Sequence, residues 1–132
     1  MRVLIIDDSE MLRTLLGRMI RELGFEVIEA ADGRAALAQL ESLGAVELCL
    51  VDWSMPEMSG IEFIEAVRAR TAWNPIKLVM ITAATDMADV QCALEAGADE
   101  YLMKPFTREM IVEKLAIVGF EHNQAQAHRC VS

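Results

Sequence analysis

Aromatic residues are scarce in this chain of 132 residues, at 5% of the total, and proline and cysteine occur three times each. Cys49, Cys92 and Cys130 are odd in number and far apart, with no C-x-x-C pair and no His at metal-ligand spacing. That pattern excludes a disulfide framework and a thiolate metal centre, and two buried thiols plus one in the tail are expected. No apolar run reaches the ~18 residues of a membrane span. Met1–Ile6 passes directly into Asp7-Asp8, without the longer apolar stretch and small-residue cleavage site of a secretory signal, so a cytoplasmic, reduced setting is expected and membrane insertion is not. Positive charge is the remaining deficit. Twelve Lys and Arg against 21 Asp and Glu leave a net charge of −9, the wrong balance for binding a phosphate backbone, so DNA is not an expected partner.

What the chain does have is apolar content, 54% of its residues, at a length that suits one domain. Short apolar runs alternate with longer segments of helical period, the pattern of a parallel sheet crossed by helices in an α/β fold. Five strands are expected, over Arg2–Ile6, Phe25–Glu29, Val46–Val51, Ile76–Ile81 and Glu100–Met103. The first helix should follow the N-cap Ser9 and turn Leu12, Leu15, Leu16, Met19, Ile20 and Leu23 toward the sheet before Gly24 ends it. Later helices should run from Asp32-Gly33 to Leu40, Ser59-Gly60 to Arg68, Thr85-Asp86 to Ala96 and Thr107 to about Val118, with Gly44 and Gly97 as C-terminal stops. Residues 1–119 would form the domain, and the small, polar tail 120–132, with His122 and His128, is too short for a second core.

The residues after the confident strands carry the chemistry. Asp7-Asp8 follow the first strand, Asp52 the third, Thr82 the fourth and Lys104-Pro105 the fifth. Ligands of open parallel sheets bind outside the carboxyl ends of the strands, so these residues should share one rim. A polar residue at one strand end is commonplace, but three carboxylates, a hydroxyl and an ammonium, each at a strand end, are not explained that way. Two like charges 4 Å apart cost roughly 4 kcal/mol at an effective dielectric of 20, so the three acids need neutralising. Lys104 supplies one positive charge, and a hard divalent cation supplies two more. Oxygen-only donors favour Mg²⁺, which also accepts phosphate oxygens, with Mn²⁺ as the alternative. Asp52 stands alone before an accessible loop, Trp53 to Gly60, and is the best candidate for a carboxylate that takes up a phosphoryl group covalently. Lys104 and the cation would offset charge on the transferring group while the Thr82 hydroxyl donates to one of its oxygens.

Asp7-Asp8, the segment Val51-Asp52-Trp53-Ser54-Met55-Pro56-Glu57-Met58-Ser59-Gly60, the turn Ile81-Thr82-Ala83 and the segment Gly97 to Phe106 resemble the receiver domain of bacterial two-component response regulators, of the stand-alone chemotaxis type. Steps of 45 residues from Asp7 to Asp52, 30 to Thr82 and 22 to Lys104 fit that family without an insertion. The resemblance implies a doubly wound, flavodoxin-like (βα)5 fold with strand order 2-1-3-4-5 and a cis Lys104–Pro105 bond. It implies Asp52 as phosphoacceptor, Asp8 and Asp52 as Mg²⁺ ligands, Asp7 assisting through water, and the backbone carbonyl of Ser54 as a further ligand. It also implies that the protein catalyses only its own phosphorylation and dephosphorylation, taking the phosphoryl group from a sensor histidine kinase or a histidine phosphotransfer domain.

In the family a threonine and an aromatic three residues before the lysine move together on phosphorylation, which assigns Thr82 and Tyr101 as the switch. Ser54 and Ala84, two places after Asp52 and Thr82, are both small and would leave an attacking water access to the site. Trp53 is expected beside the site, while Met55, Met58 and Met103 are read as core fillers. Relatives dock the histidine domain partly on the first helix, here bearing Arg13, Arg18 and Arg21 with Glu10 and Glu22, and bind outputs on the face of the fourth helix, fifth strand and fifth helix. From Asp86 to Val118 that region carries seven acids against Lys104, Arg108 and Lys114, which suits a basic or apolar protein target. With no output domain expected in the chain, the phosphorylated form would switch its affinity for such a target, or else pass the phosphoryl group on to a histidine phosphotransferase as a relay intermediate.

Overall fold

A strand turns alternate side chains to opposite faces of its sheet, and in this chain both sets are apolar. The result, in a computed structural model that describes residues 2–44, 46–53, 55, 58–83 and 87–120 (backbone only at 87 and 89), is a sheet covered on both sides. In chain order the elements are β1 (Arg2–Ile6), α1 (Glu10–Glu22), β2 (Glu26–Ala30), α2 (Gly33–Leu43), β3 (Leu48–Asp52), α3 (Gly60–Arg68), β4 (Lys77–Thr82), α4 (Met87–Ala96), β5 (Glu100–Met103) and α5 (Arg108–Ile117). A single 3₁₀ turn, Thr71–Trp73, precedes β4. All strand pairs are parallel and the order is β2-β1-β3-β4-β5, as expected.

Two cores follow from the alternation. Val3, Ile5, Leu48, Leu50, Val79, Ile81 and Leu102 meet Leu16, Ile20 and Leu23 of the α1 segment and Ile111 and Leu115 of α5. On the other face Leu4, Ile6, Cys49, Val51, Leu78 and Met80 meet Ala36 and Leu40 of α2, Phe63, Ile64 and Val67 of α3 and Ala93 of α4. Burying each such aliphatic side chain contributes roughly 1.5–3 kcal/mol, which fixes β1, β3 and β4 as the rigid centre.

Several expectations are corrected. Leu15 does not face the sheet; it is 44% exposed and neighbouring Met11 82%, because the buried stripe of α1 is Leu16 and Ile20, continued by the C-cap Leu23, with Met19 partly buried against the same core. Phe25 is buried but precedes β2, since its N–H returns to Ile20 at the end of α1 and leaves pairing to begin at Glu26. Helix α2 runs three residues beyond Leu40, to Leu43. Strands β3 and β4 each end one residue later than expected, and begin later too, at Leu48 and Lys77. The expected N-cap region Thr85-Asp86 and the tail 121–132, with His122, His128 and Cys130, lie outside the described residues, as do Ser54 and Ala84.

Candidate functional site

The late ends of β3 and β4 matter most for the site. Asp52 and Thr82 are themselves the last paired residues of their strands, Asp52 opposite Ile81 and Thr82 opposite Met103, so the sheet fixes their backbones directly. The Trp53 N–H donates to the Ile81 carbonyl and the Lys104 N–H to the Thr82 carbonyl, each at 2.8 Å, extending that order one residue further. Asp7 follows β1, its N–H donating to the Ala30 carbonyl at 3.2 Å and its Oδ1 accepting from the Ser9 N–H at 2.8 Å. Ser9 then caps α1 by accepting from the Leu12 N–H. The Lys104–Pro105 bond is cis, as the sequence resemblance implied.

These strand ends bring the expected residues together. Asp7, Asp8 and Asp52 each offer a carboxylate oxygen within 4.8 Å of the others. Lys104 Nζ reaches Asp52 Oδ1 at 3.1 Å and Asp7 Oδ2 at 3.8 Å. Asp7, Asp52 and Thr82 are buried while Asp8 is open to solvent. Burial pushes the Asp52 carboxyl above its ordinary value of 3.8, Asp7's charge adds to the rise, and Lys104 opposes it. Asp7 is raised for the same leading reason, against the Ser9 N–H and Lys104. Three acids and one ammonium leave excess negative charge, and donors that are all oxygen with one side open to water fit a hard divalent cation that keeps part of its hydration.

One glycine makes this geometry possible. A Cβ on Gly60 would stand 2.7 Å from the Asp52 carbonyl oxygen and 3.1 Å from Trp53 Cα, so only glycine lets α3 start against the strand end. There Ser59 and Glu62 close a reciprocal capping box, which holds the Glu62 carboxyl below its usual range through the Ser59 N–H. A Cβ on Gly33 would meet Met58 Sδ at 2.6 Å, which seats Met58 against the start of α2. Met55 and Met58 belong to the core, as expected, and Trp53 packs partly buried beside the site.

Tyr101 lies on β5 with its ring partly buried and with Lys114 Nζ 4.5 Å from the ring centroid; Lys114 also pairs with Glu100 at 3.4 Å. Among the arginines of α1 the structure separates roles that the sequence could not. Arg18 stands beside exposed Met11 and Leu15, whereas Arg13 turns inward, its Nη1 donating to the Asp7 carbonyl at 2.6 Å and its Nε to Glu29 at 3.3 Å. Nothing in the helical spacing marked Arg13 as a neighbour of the acids; only the packing of α1 on β1 and β2 does.

Comparison with known proteins places these features in a family. Residues 3–116 match the family described as the response regulator receiver domain. The chain is 37% identical over 119 residues to chemotaxis protein CheY1 of Helicobacter pylori, covering 89% of this chain and 96% of that one. It is 37% identical over 116 residues to chemotaxis protein CheY of Pseudomonas aeruginosa, covering 87% and 93%. Among solved structures, chemotaxis protein CheY4 of Vibrio cholerae superposes with a TM-score of 0.83 at 34% identity, over 89% of this chain and 97% of that one.

Proposed function

The chain belongs to the response regulator receiver family, and from that premise we infer that it is a single-domain regulator that accepts a phosphoryl group on Asp52. One observation carries the reading: Asp7, Asp8 and Asp52 converge within 4.8 Å while the Lys104 ammonium stands 3.1 Å from Asp52. An Asp52 oxygen attacks the phosphorus of a phosphohistidine, the O–P bond forms as the N–P bond breaks, and the electron pair returns to that ring nitrogen, so that a phosphohistidine protonated on its other nitrogen leaves as neutral imidazole. Lys104 stabilises charge on the equatorial oxygens, and the Thr82 hydroxyl donates to one of them. Receiver domains bind Mg²⁺ in their acidic pocket; here Asp8 and Asp52 would hold it, Asp7 through water and the Ser54 carbonyl completing the protein ligands, and the cation would neutralise charge on the transferring group. Mn²⁺ suits the same donors. Phosphorylation then adds about −1.5 to −2 charge beside Thr82 and biases Tyr101.

Receiver domains work between histidine kinases and downstream targets. For this chain the exposed Met11 and Leu15 with Arg18 on α1 offer the histidine domain a mixed apolar and basic surface, and the α4–β5–α5 face, with Leu94 and Ile117 exposed, is the output surface for a protein target. Among the described residues no helix is long and apolar enough to cross a membrane, and a cytoplasmic site of action fits the kinase partner. Residues 1–119 would constitute the receiver, in keeping with the family match over 3–116. The chemotaxis relatives favour target binding over a relay role. Incubation with Mg²⁺ and a small phosphodonor should label the parent chain and not Asp52→Asn, and label persisting undiminished on the variant would overturn the assignment. Return of label to a histidine phosphotransfer domain, without a gain in target affinity, would select the relay instead.

A further inference from the structure

The divalent site inferred above depends on a turn of three residues, 7–9, that must present two adjacent, mutually repelling carboxylates to a third. We propose that Arg13 and Glu29 are a positioning pair that holds this turn closed and so sets the affinity for the divalent cation. Arg13 lies on the first turns of α1 with its side chain 15% exposed. Its Nη1 donates to the Asp7 carbonyl at 2.6 Å, a short charge-assisted bond to the backbone that joins the two acids. Its Nε donates at 3.3 Å to Glu29 Oε1 on β2, and Glu29 Oε2 is 3.7 Å from Arg21 Nη2. Gly17, one turn after Arg13, places no side chain between α1 and Glu29, where a Cβ would stand 3.6 Å from Glu29 Oε2.

The guanidinium thus spans two fixed points, the edge strand and the turn. With Arg13 in place the Asp7 backbone is held at its N–H by Ala30 and at its carbonyl by α1. Without it, the peptide between Asp7 and Asp8 loses its own restraint, although Ala30 and the Ser9 cap still hold the two ends of the turn; repulsion from Asp52 and Asp8 then acts on that peptide, and cation binding must first restore its orientation. Glu29 offsets only part of the positive charge of Arg13 and Arg21, so the direction of the change in affinity separates a positioning role from a charge effect. Groups that orient metal ligands without touching the metal typically change affinity by about 10–100-fold, and the lower end suits a contact made to the backbone.

The test rests on the sign. Removing a cation near a divalent site tightens binding if Arg13 acts by charge alone, and weakens it if Arg13 positions the turn. The full chain in a Trp73→Phe background, where Trp53 is the remaining indole beside the site, is titrated with MgCl₂ alone and followed by fluorescence, well below the unfolding temperature of every variant. Arg13→Gln is expected to raise the Kd about tenfold. Glu29→Gln keeps an acceptor for Arg13 and is expected to change it less. Unchanged or tighter binding by Arg13→Gln, including a lower Tm with the same Kd, overturns the proposal. If Arg13→Gln does not fold, Arg13→Lys decides: one ammonium spans only one of the two anchors, so about threefold weaker binding is expected and parental affinity overturns the proposal. A parent chain with no saturable response that Asp8→Asn abolishes overturns the metal site itself, and is distinguishable because it appears before any change at Arg13.

Discussion

Replacing Asp52 by Asn in metal-free buffer is expected to raise the stability of this protein. Its carboxylate lies within 4.8 Å of oxygens of both Asp7 and Asp8, and each such pair costs about 3.5 kcal/mol at an effective dielectric of 20. Lys104, 3.1 Å away, returns about 5 kcal/mol on the same scale, and exposure of Asp8 weakens its share of the repulsion. The charges therefore nearly cancel, and the cost of holding a carboxylate at 5% exposure decides the sign. Asn keeps an oxygen that accepts from Lys104 and removes that cost, a gain of about 2 kcal/mol or roughly 6–10 °C in Tm. The pH dependence follows from the raised carboxyls of Asp7 and Asp52. The folded state keeps these protons to higher pH than the unfolded chain, so their favourable contribution is complete below pH 3.8 and is lost as pH rises through the elevated values. Thermal unfolding in EDTA should thus show parent and variant converging in acid and separating toward neutrality. Saturating Mg²⁺, at 100 times its Kd, should then stabilise the parent by about 2.7 kcal/mol and the variant much less. A variant less stable than the parent in EDTA, or an equal Mg²⁺ shift in both, would refute the reasoning.

Three further outcomes are expected. Arg68 donates to the carbonyls of Gly97, Trp73, Asn74 and Ile76 and to Asp99, which also accepts from the Leu78 N–H, so Arg68→Ala should cost about 3–4 kcal/mol in urea unfolding while leaving phosphorylation intact at low temperature. Gly60→Ala drives a methyl against the Asp52 carbonyl and Trp53 Cα, which cannot swing away as a side chain would; a loss of about 2 kcal/mol and slower phosphorylation by a small donor are expected, and a neutral result would show that the loop yields freely. Cys92, expected to be buried, is exposed, so in a Cys130→Ser background a thiol reagent should titrate it at once, while Cys49, buried with its thiol pushed up to about 12, reacts only on unfolding; two fast thiols would contradict the packing of β3.

The sequence by itself determined the class of fold and the strand-end acids and lysine that the structure brings together. Continuous apolar runs in β1, β3 and β4 leave no face for water, which demands a sheet covered on both sides, and the acids, threonine and lysine at the strand ends announce one rim. Strand boundaries were legible only to a residue or two, because Asp52 and Thr82 are polar yet still paired, and Phe25 is apolar yet serves the end of α1. Helix faces were less legible still: Leu15 matches the apolar spacing of α1, yet burial falls on Leu16, Ile20 and Leu23 and leaves Leu15 44% exposed. Only tertiary structure decided which charges meet. Arg13, Arg18 and Arg21 are indistinguishable along the helix, and Lys114 is one lysine in a largely apolar stretch. Packing of α1 against β2 sends Arg13 to the Asp7 carbonyl, and packing of α5 against β5 sets Lys114 over Tyr101. Burial follows periodicity, which is local, whereas the partner of a long charged side chain depends on which elements lie side by side.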